Sequence, residues 1–347
     1  MAIVGHWSSL AEAQKLTQSE LLKGIVQEVI ESGNLLPMMP VKQLNAKSLL
    51  YNREVSWTAS TGAAFVDTHE ALTWQADQTY SQIEVALKQI ARQDVIDRFI
   101  AATYGNINDY KSVMITEVAK KVSRFTEHML RYGDVTYGGA KQFDGLHAMA
   151  QENTGDLDYD NGETVLSIMQ VRKLLDAIKI DQKGQQNVIL LMPREIARRF
   201  DAAYQESGLV RSQVTHSMAT ITIGGREIME RIPMIAGVPV IRDDFLVAEQ
   251  ANTGVGSDAR ALRTSGTNMY SIFAVRLGPI EEGELELLFG DPGAGEGIFS
   301  GFTHESFEKL EDYIAGGERI YGFLAPALGA SISLGRIYDI TDGELVP

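Results

Sequence analysis

Residues 109–146 read DYKSVMITEVAKKVSRFTEHMLRYGDVTYGGAKQFDGL, and this stretch decides the fold. Its first part predicts one uninterrupted amphipathic helix, Asp109–Tyr132, which we expect Gly133 to end as a left-handed residue. The apolar stripe of this helix consists, by helical spacing, of Tyr110, Val113, Met114, Val118, Val122, Phe125, Met129 and Leu130. A helix of about 24 residues spans roughly 36 Å, whereas a chain of this length packed alone has a radius of gyration near ~20 Å.

An extended two-arm segment precedes this helix. The arms are Leu49–Trp57 and Tyr80–Gln93, and Thr58–Gly62 forms a tip rich in glycine, alanine and threonine. Apolar and polar residues alternate in the second arm, as is typical of a strand. An arm of about a dozen extended residues projects roughly 40 Å. Elements this long cannot all be buried by their own subunit, so the sequence predicts neighbours. Phe65 and Trp74 lie between the arms and either mark a contact or close the loop onto itself.

Residues 17–33 form a second candidate contact element. Thr17 and Glu20 suit a capping box, and Leu21 and Ile25 belong to an apolar face with helical spacing. The prolines that follow favour an extended run. We interpret this short helix and stretched segment as an N-terminal arm, with an ordinary first core helix as the alternative.

The composition is that of a folded protein, with 44% hydrophobic and 22% charged residues among 347. Cysteine is absent, which excludes disulfides, thiolate metal sites and a cysteine nucleophile. No apolar run approaches the length of a membrane-spanning helix, so we expect no membrane partner.

The net charge of −15 is unevenly placed. Residues 1–150 carry 14 basic and 16 acidic side chains, a balance of −2, which leaves −13 for residues 151–347. A basic footprint for tight nucleic-acid binding is therefore missing. Glu281–Asp312 alone holds ten acids and one Lys309. This stretch is either an ordinary solvated face or a surface that repels DNA phosphates.

The second half alternates helices and strands in an order that is not doubly wound, which predicts an α+β body. We expect helices at Glu163–Ile180 and from Pro193 to Gly208, and a hairpin around Gly224-Gly225. The remaining predictions are strands at Asn187–Met192, Val238–Arg242, Tyr270–Leu277, Glu284–Phe289, Arg319–Ala325 and Ser331–Ile340, with a polar loop at Ala248–Ser265.

No motif of catalytic or metal-binding chemistry stands out. Asp156, Asp158 and Asp160 begin like a calcium loop, but Asn161 replaces its glycine and Ser167 its final glutamate. No two of the six histidines have metal-ligand spacing, and the Gly-x-Ser-x-Gly elbow is missing. We therefore expect no enzymatic activity, no metal and no cofactor.

The element order resembles the major capsid protein family of tailed bacteriophages, whose icosahedral shell fold is shared with encapsulins and the herpesvirus capsid floor. The resemblance rests on the arm, the two-strand excursion, the long helix, Gln142-Phe143-Asp144-Gly145-Leu146, and the segments Arg319–Ala325 and Gly335–Ile340. It covers nearly the whole chain. It implies an α+β fold with an N-terminal arm, an extended β-hairpin loop, a peripheral domain built on a spine helix, and an axial domain.

The resemblance also implies a division of the chain and a set of partners. The N-terminal arm would be 1–48, the extended loop 49–92, the peripheral domain 93–155 with 314–347, and the axial domain 156–313. The chain would assemble with itself into pentamers and hexamers around double-stranded DNA that it does not bind sequence-specifically. A separate scaffolding protein, a portal and a decoration protein would be its partners, in a virion assembled in the host cytoplasm.

Candidate assembly contacts are large apolar residues on the predicted arm, loop and spine helix. They are Leu21, Ile25, Trp57, Phe65, Trp74, Phe125 and Phe143. Two alternatives stay open: an encapsulin-type nanocompartment shell, and a soluble acidic α+β enzyme.

Overall fold

A computed structural model describes residues 35–56, 67–68, 79–99, 102, 110–136, 141–178, 187–206, 217–223, 226–232, 234–250, 267–290, 302–309 and 314–346. Its strands are β1 (Val41–Leu44), β2 (Ser48–Ser56), β3 (Thr79–Ala86), β4 (Lys88–Asp97), β5 (Asp158–Ser167), β6 (Val188–Pro193), β7 (Ser217–Ile223), β8 (Arg226–Ile232), β9 (Met234–Ile235), β10 (Val238–Asp243), β11 (Glu249–Gln250), β12 (Thr267–Arg276), β13 (Leu285–Gly290), β14 (Phe302–Phe307), β15 (Ala315–Leu328) and β16 (Leu334–Val346). Its α-helices are α1 (Tyr110–Tyr132), α2 (Leu146–Ala150), α3 (Ile168–Ala177) and α4 (Arg194–Glu206). Among these residues, no helix is both long and apolar enough to cross a membrane.

The strands of the described residues form two larger sheets and two hairpins. A five-stranded sheet joins β1, β13, β15 and β14, with β4 paired along β15. A seven-stranded sheet runs β5-β16-β12-β6-β10-β9, with β11 beside β12. The pairs β2–β3 and β7–β8 form separate antiparallel hairpins. This is the expected α+β architecture, and its strand orders differ from those of doubly wound folds.

The spine helix α1 lies in the core that connects the two sheets. Its residues Val118, Val122, Met129 and Leu130 are buried together with residues from both sheets, including Phe273 and Leu324. The opposite face of the seven-stranded sheet packs against α3 and α4 in a second core. Strand β6 is buried on both faces for this reason, which explains its continuous apolar run.

The predicted spine helix and the first hairpin are confirmed. The helix extends from Tyr110 to Tyr132 as described, and the predicted first residue, Asp109, lies outside the described residues. Strands β2 and β3 pair from Ser48 with Ala86 to Ser56 with Thr79. The second predicted arm, Tyr80–Gln93, is divided at Leu87, because β4 leaves the hairpin and joins the five-stranded sheet.

The prediction that Gly133 adopts a left-handed conformation is wrong, since its φ is not positive. Glycine is needed there for space. A Cβ on Gly133 would lie 2.5 Å from the Phe143 carbonyl oxygen and 2.6 Å from that of Met129. Gly145 is equally confined, and its N–H donates to the Gly133 carbonyl at 2.8 Å. The two glycines therefore let the chain return tightly against the end of α1.

The predicted helix Glu163–Ile180 begins too early, because Asp158–Ser167 forms strand β5. This strand pairs in parallel with β16 and contains a bulge in which Gly162 and Glu163 have positive φ values. The helix begins only after Ser167, whose side chain accepts the Met169 N–H, while Gln170 caps in return. The calcium-like aspartates therefore lie in a strand and its preceding turn, where Asp158 binds Arg336.

The acidic stretch Glu281–Asp312 is only partly a solvated face. Glu281 is exposed and pairs with Lys42. Glu284 and Glu286, in contrast, are buried, at 0% and 6% exposure. Glu284 pairs with Arg276 at 2.7 Å, and Glu286 accepts the Ile280 N–H at 3.1 Å. Two of the ten acids thus stabilise a turn inside the subunit.

Candidate assembly site: hairpin root and spine helix

The hairpin β2–β3 contacts the body through one face of its root. Leu49, Tyr51, Val85 and Leu87 pack against a small buried cluster of Ile280, Leu288 and Ala327. On the other face Leu50 is 56% exposed. A two-stranded ribbon is only marginally stable in water without packing on one face. The root supplies that packing, and it orients the rest of the hairpin.

Polar contacts fix the angle at which the hairpin leaves the body. The Tyr51 hydroxyl donates to the Leu328 carbonyl at 2.6 Å, and Arg53 donates to the Leu328 and Gly329 carbonyls at 2.9 and 3.0 Å. Arg53 also pairs with Glu152 at 3.1 Å. Burial raises the pKa of Tyr51, so its hydroxyl remains a donor at neutral pH. These bonds cross between segments far apart in sequence and hold the root in one orientation.

A cavity of about 260 Å³ lies between the hairpin root and the turn after the spine helix. Its charged lining includes Arg53, Glu84, Lys88, Asp144 and Glu152. Burial raises the pKa of Asp144, although the Val135 N–H donates to its carboxylate at 2.9 Å. The hairpin root therefore borders a partly open cavity that has both charged and apolar side chains in its wall.

A buried charge cluster connects the spine helix to the end of β10 and to the segment before β1. Arg131 is fully buried, pairs with Asp243 at 2.7 Å and contacts the Glu127 carboxylate. Glu127 in turn accepts the Leu36 N–H at 3.0 Å. Burial alone lowers the pKa of Arg131, but Asp243 and Glu127 together raise it, so the guanidinium stays charged. This cluster fixes the backbone at Leu36, next to Leu35, which is fully buried.

Two of the predicted assembly contacts, Phe125 and Phe143, lie in the described residues, and they differ in exposure. Phe125 is 50% exposed, so its placement in the buried stripe of the spine helix is wrong, and Thr126 occupies that buried position. Phe143 is only 5% exposed and packs in the core of its own subunit, which leaves little of its ring for a neighbour. The other five candidates, Leu21, Ile25, Trp57, Phe65 and Trp74, lie outside the described residues, as does the predicted helix 17–33.

Sequence reasoning missed the polar clusters that fix these elements. Arg131 and Asp243 are 112 positions apart, and Arg53 and Leu328 are 275 apart. No local pattern joins such residues. The one local signal was the four-residue spacing of Glu127 and Arg131 on a helix, which allows an ion pair.

Comparisons with known proteins agree on the fold and not on sequence. No protein-family model matches the chain, and no curated protein matches it in sequence. Among solved structures it is similar to the SrpI encapsulin of Synechococcus elongatus PCC 7942, with a TM-score of 0.65, 12% identity and 97% of each chain covered. The capsid of a native GTA particle matches with a TM-score of 0.59, 11% identity, and 96% and 99% of the two chains covered.

The cyanophage A-1(L) capsid gives a TM-score of 0.58 at 12% identity, with 92% of this chain and 96% of that chain covered. These three matches cover 92–97% of this chain. The fold of this protein is thus the one common to tailed-phage major capsid proteins and encapsulins, as the resemblance in sequence implied.

Proposed function

We propose that the chain is a shell-forming subunit, the major capsid protein of a tailed-phage type of particle. In this proposal it assembles into pentamers and hexamers of an icosahedral shell that encloses double-stranded DNA. The observation that carries the proposal is the match to capsid subunits over nearly the full length of both chains. We propose a structural role and no enzymatic one.

The hairpin and the spine helix supply the mechanical argument. The hairpin is held at its root by Tyr51 and Arg53, while its outer face, including Leu50, stays available. A fixed root with an available face suits a contact between subunits, because little conformational entropy remains to be lost on binding. Many weak contacts made at once also hold a shell together, since detachment must break them simultaneously.

A variant of the hairpin root tests this mechanism. The double substitution Tyr51→Phe and Arg53→Met removes three hydrogen bonds to β15 and the turn that follows it, but keeps most of the apolar packing. We expect a folded subunit by circular dichroism and fewer or misshapen particles by electron microscopy. Arg92→Met, which removes a half-exposed arginine paired with Asp94, is the matched control and should assemble normally. Normal particles from the double variant would refute the role of the root.

The contents of the shell form the second part of the proposal. The net charge of −15 disfavours tight binding to nucleic acid, which suits DNA that is enclosed without being bound. We propose a scaffolding protein, a portal and a decoration protein as further partners, a virion as the location, and host cytoplasm as the place of assembly. Particles purified from the natural source should protect double-stranded DNA from nuclease.

An encapsulin-type shell is the second candidate function. It is favoured by the match to the SrpI encapsulin, which has a TM-score of 0.65 over 97% of each chain. The two candidates differ in what the particle contains. Particles that hold a folded cellular protein and no nuclease-protected DNA would establish the encapsulin and overturn the phage capsid.

A further inference from the structure

Four side chains, three of them buried and one, that of Asp158, partly buried, join α2, the short helix after the spine helix, to the seven-stranded sheet. They are His147 on α2, Glu249 on β11, Arg336 on β16 and Asp158 on β5, and we call this set the buried joint. His147 Nε2 lies 2.9 Å from Glu249 Oε1, and His147 Nδ1 lies 3.3 Å from Arg336 Nη1. Arg336 continues to Asp158 through contacts of 2.7 and 3.1 Å. The imidazole therefore sits between an anion and a cation.

The surroundings of His147 leave it no access to water. The side chain is fully buried; Tyr132 of α1 stacks on the ring at 4.9 Å, and Phe273 of β12 meets it edge-on at 4.6 Å. The Tyr132 hydroxyl is engaged with the backbone of Val247. Ser271 donates to the second oxygen of Glu249 at 2.8 Å. The charged groups that act on His147 from its neighbouring elements are Glu249, Arg336 and Asp158.

The contact with Arg336 fixes the protonation state of the neutral ring. A guanidinium N–H can only donate, so Nδ1 must accept and carry no hydrogen. The single ring proton is then on Nε2, which faces the carboxylate of Glu249. The N–H is not well aligned with Oε1, since neither atom satisfies hydrogen-bond geometry. The neutral ring thus links β11 and β16 through one contact on each side.

A second proton has only one place to bind, which is Nδ1. Protonated His147 would present an N–H and a positive charge to the N–H of Arg336, while its attraction to Glu249 would increase. Arg336 is also held by two contacts to Asp158, so it keeps its position when the ring moves away. Protonation would therefore break the contact of His147 with Arg336 and keep its contact with Glu249.

We propose that the buried joint is an acid-sensitive switch, in which a proton taken up on His147 Nδ1 breaks its contact with Arg336 and weakens the attachment of α2 to β16. Burial lowers the pKa of His147 by more than Glu249 raises it, so the joint is closed at neutral pH. Opening would loosen the end of the spine helix from the sheet that contains β16. The switch belongs to the single folded subunit and does not depend on the proposed shell.

Hydrogen–deuterium exchange followed by mass spectrometry tests the switch in the full-length protein. Peptides that cover residues 146–150 and 334–338 should exchange at least tenfold faster at pH 4.5 than at pH 7.5, after correction for the intrinsic pH dependence of exchange. Residues 188–193 of the central strand β6 should show no comparable change. In His147→Gln, whose amide can still donate and accept but cannot titrate, the acceleration should vanish.

Two further variants keep the outcome decisive. His304→Gln removes a half-exposed histidine that pairs with Glu318 on another sheet, and it should retain the acceleration. Glu249→Gln removes the carboxylate that favours protonation, so it should move the acceleration at least one pH unit lower, even if His147→Gln fails to fold. The proposal is overturned if wild-type protein shows no local acceleration, if β6 accelerates equally, or if Glu249→Gln leaves the transition pH unchanged.

Discussion

Phe125 and Phe143 lie in opposite environments, although both were predicted as assembly contacts. Phe143 is 5% exposed and Phe125 is 50% exposed. With about 200 Å² for a phenylalanine side chain and about 25 cal/mol per Å², burial contributes about 4–5 kcal/mol at Phe143 and about 2–2.5 kcal/mol at Phe125 as upper values. Replacement by aspartate adds the cost of a buried charge only at Phe143.

We therefore expect Phe143→Asp to prevent folding, since the total stability of a domain is about 5–15 kcal/mol. Phe125→Asp should lower the unfolding free energy by about 2 kcal/mol and leave a folded subunit, because the carboxylate remains in water. If Phe125 is an assembly contact, the same variant should form few or no particles.

The assay combines two measurements on each variant. Denaturant unfolding of separated subunits, followed by circular dichroism, gives the stability, and sedimentation of the assembled fraction gives the particle yield. Ser123→Asp, which places the same charge on the exposed side of the same helix, is the control and should alter neither. An unfolded Phe125→Asp subunit would refute its exposed placement, and full particle yield from that variant would refute its role in assembly.

Three other predictions follow from the described contacts. Arg131→Met leaves the buried carboxylates of Glu127 and Asp243 without their cation and should lower the unfolding free energy, measured with denaturant, by about 3–5 kcal/mol. Arg92→Met, the control, should lower it by less than about 1 kcal/mol. Similar losses in both variants would contradict the buried cluster. Gly133→Ala forces a Cβ against two backbone carbonyls and should cost about 1–3 kcal/mol or more, and an unchanged melting temperature would contradict the close return of the chain. The folded-state pKa of His147 is lowered, so the unfolded chain binds more protons below about pH 6.5, and stability should fall with decreasing pH by up to about 1.4 kcal/mol per unit. His147→Gln should reduce this slope in unfolding curves measured from pH 7 to pH 5, and an identical slope would contradict the assignment.

The sequence was informative where a pattern is local and long. The spine helix has many turns of consistent spacing, and its end at Tyr132 was predicted. The second arm alternates apolar and polar residues, and its start was predicted within one residue, but its division after Ala86 was not. Strand β6 was predicted from its continuous apolar run, which reflects burial on both faces. In each case the period of the apolar residues is set by geometry within one element.

The errors have physical causes that a local pattern does not contain. Phe125 follows helical spacing, but spacing cannot say how far the neighbouring sheet extends around the helix. Strand β5 is polar and interrupted by a bulge, so it was mistaken for the first turns of α3; the Ser167 and Gln170 capping box marked the true start. Gly133 was assigned to a left-handed cap, whereas the reason for glycine is the approach of Phe143 from further along the chain.

No pattern in the sequence predicted the buried joint. The six histidines gave no spacing that suggests a cluster, because His147 meets its partners from 102 and 189 positions away. Only the packing of α2 between β11 and β16 brings these side chains together. Polar networks inside a fold depend on its topology, and topology is the part of the structure that local patterns determine least.

Electron microscopy of the purified protein tests the proposed shell most directly. We expect hollow polyhedral particles with five-fold and six-fold arrangements of subunits, in which the spine helix and the hairpin are resolved. A stable monomer at high concentration, with no particles under any condition of salt, pH or added scaffolding protein, would contradict the proposal that this chain builds a shell.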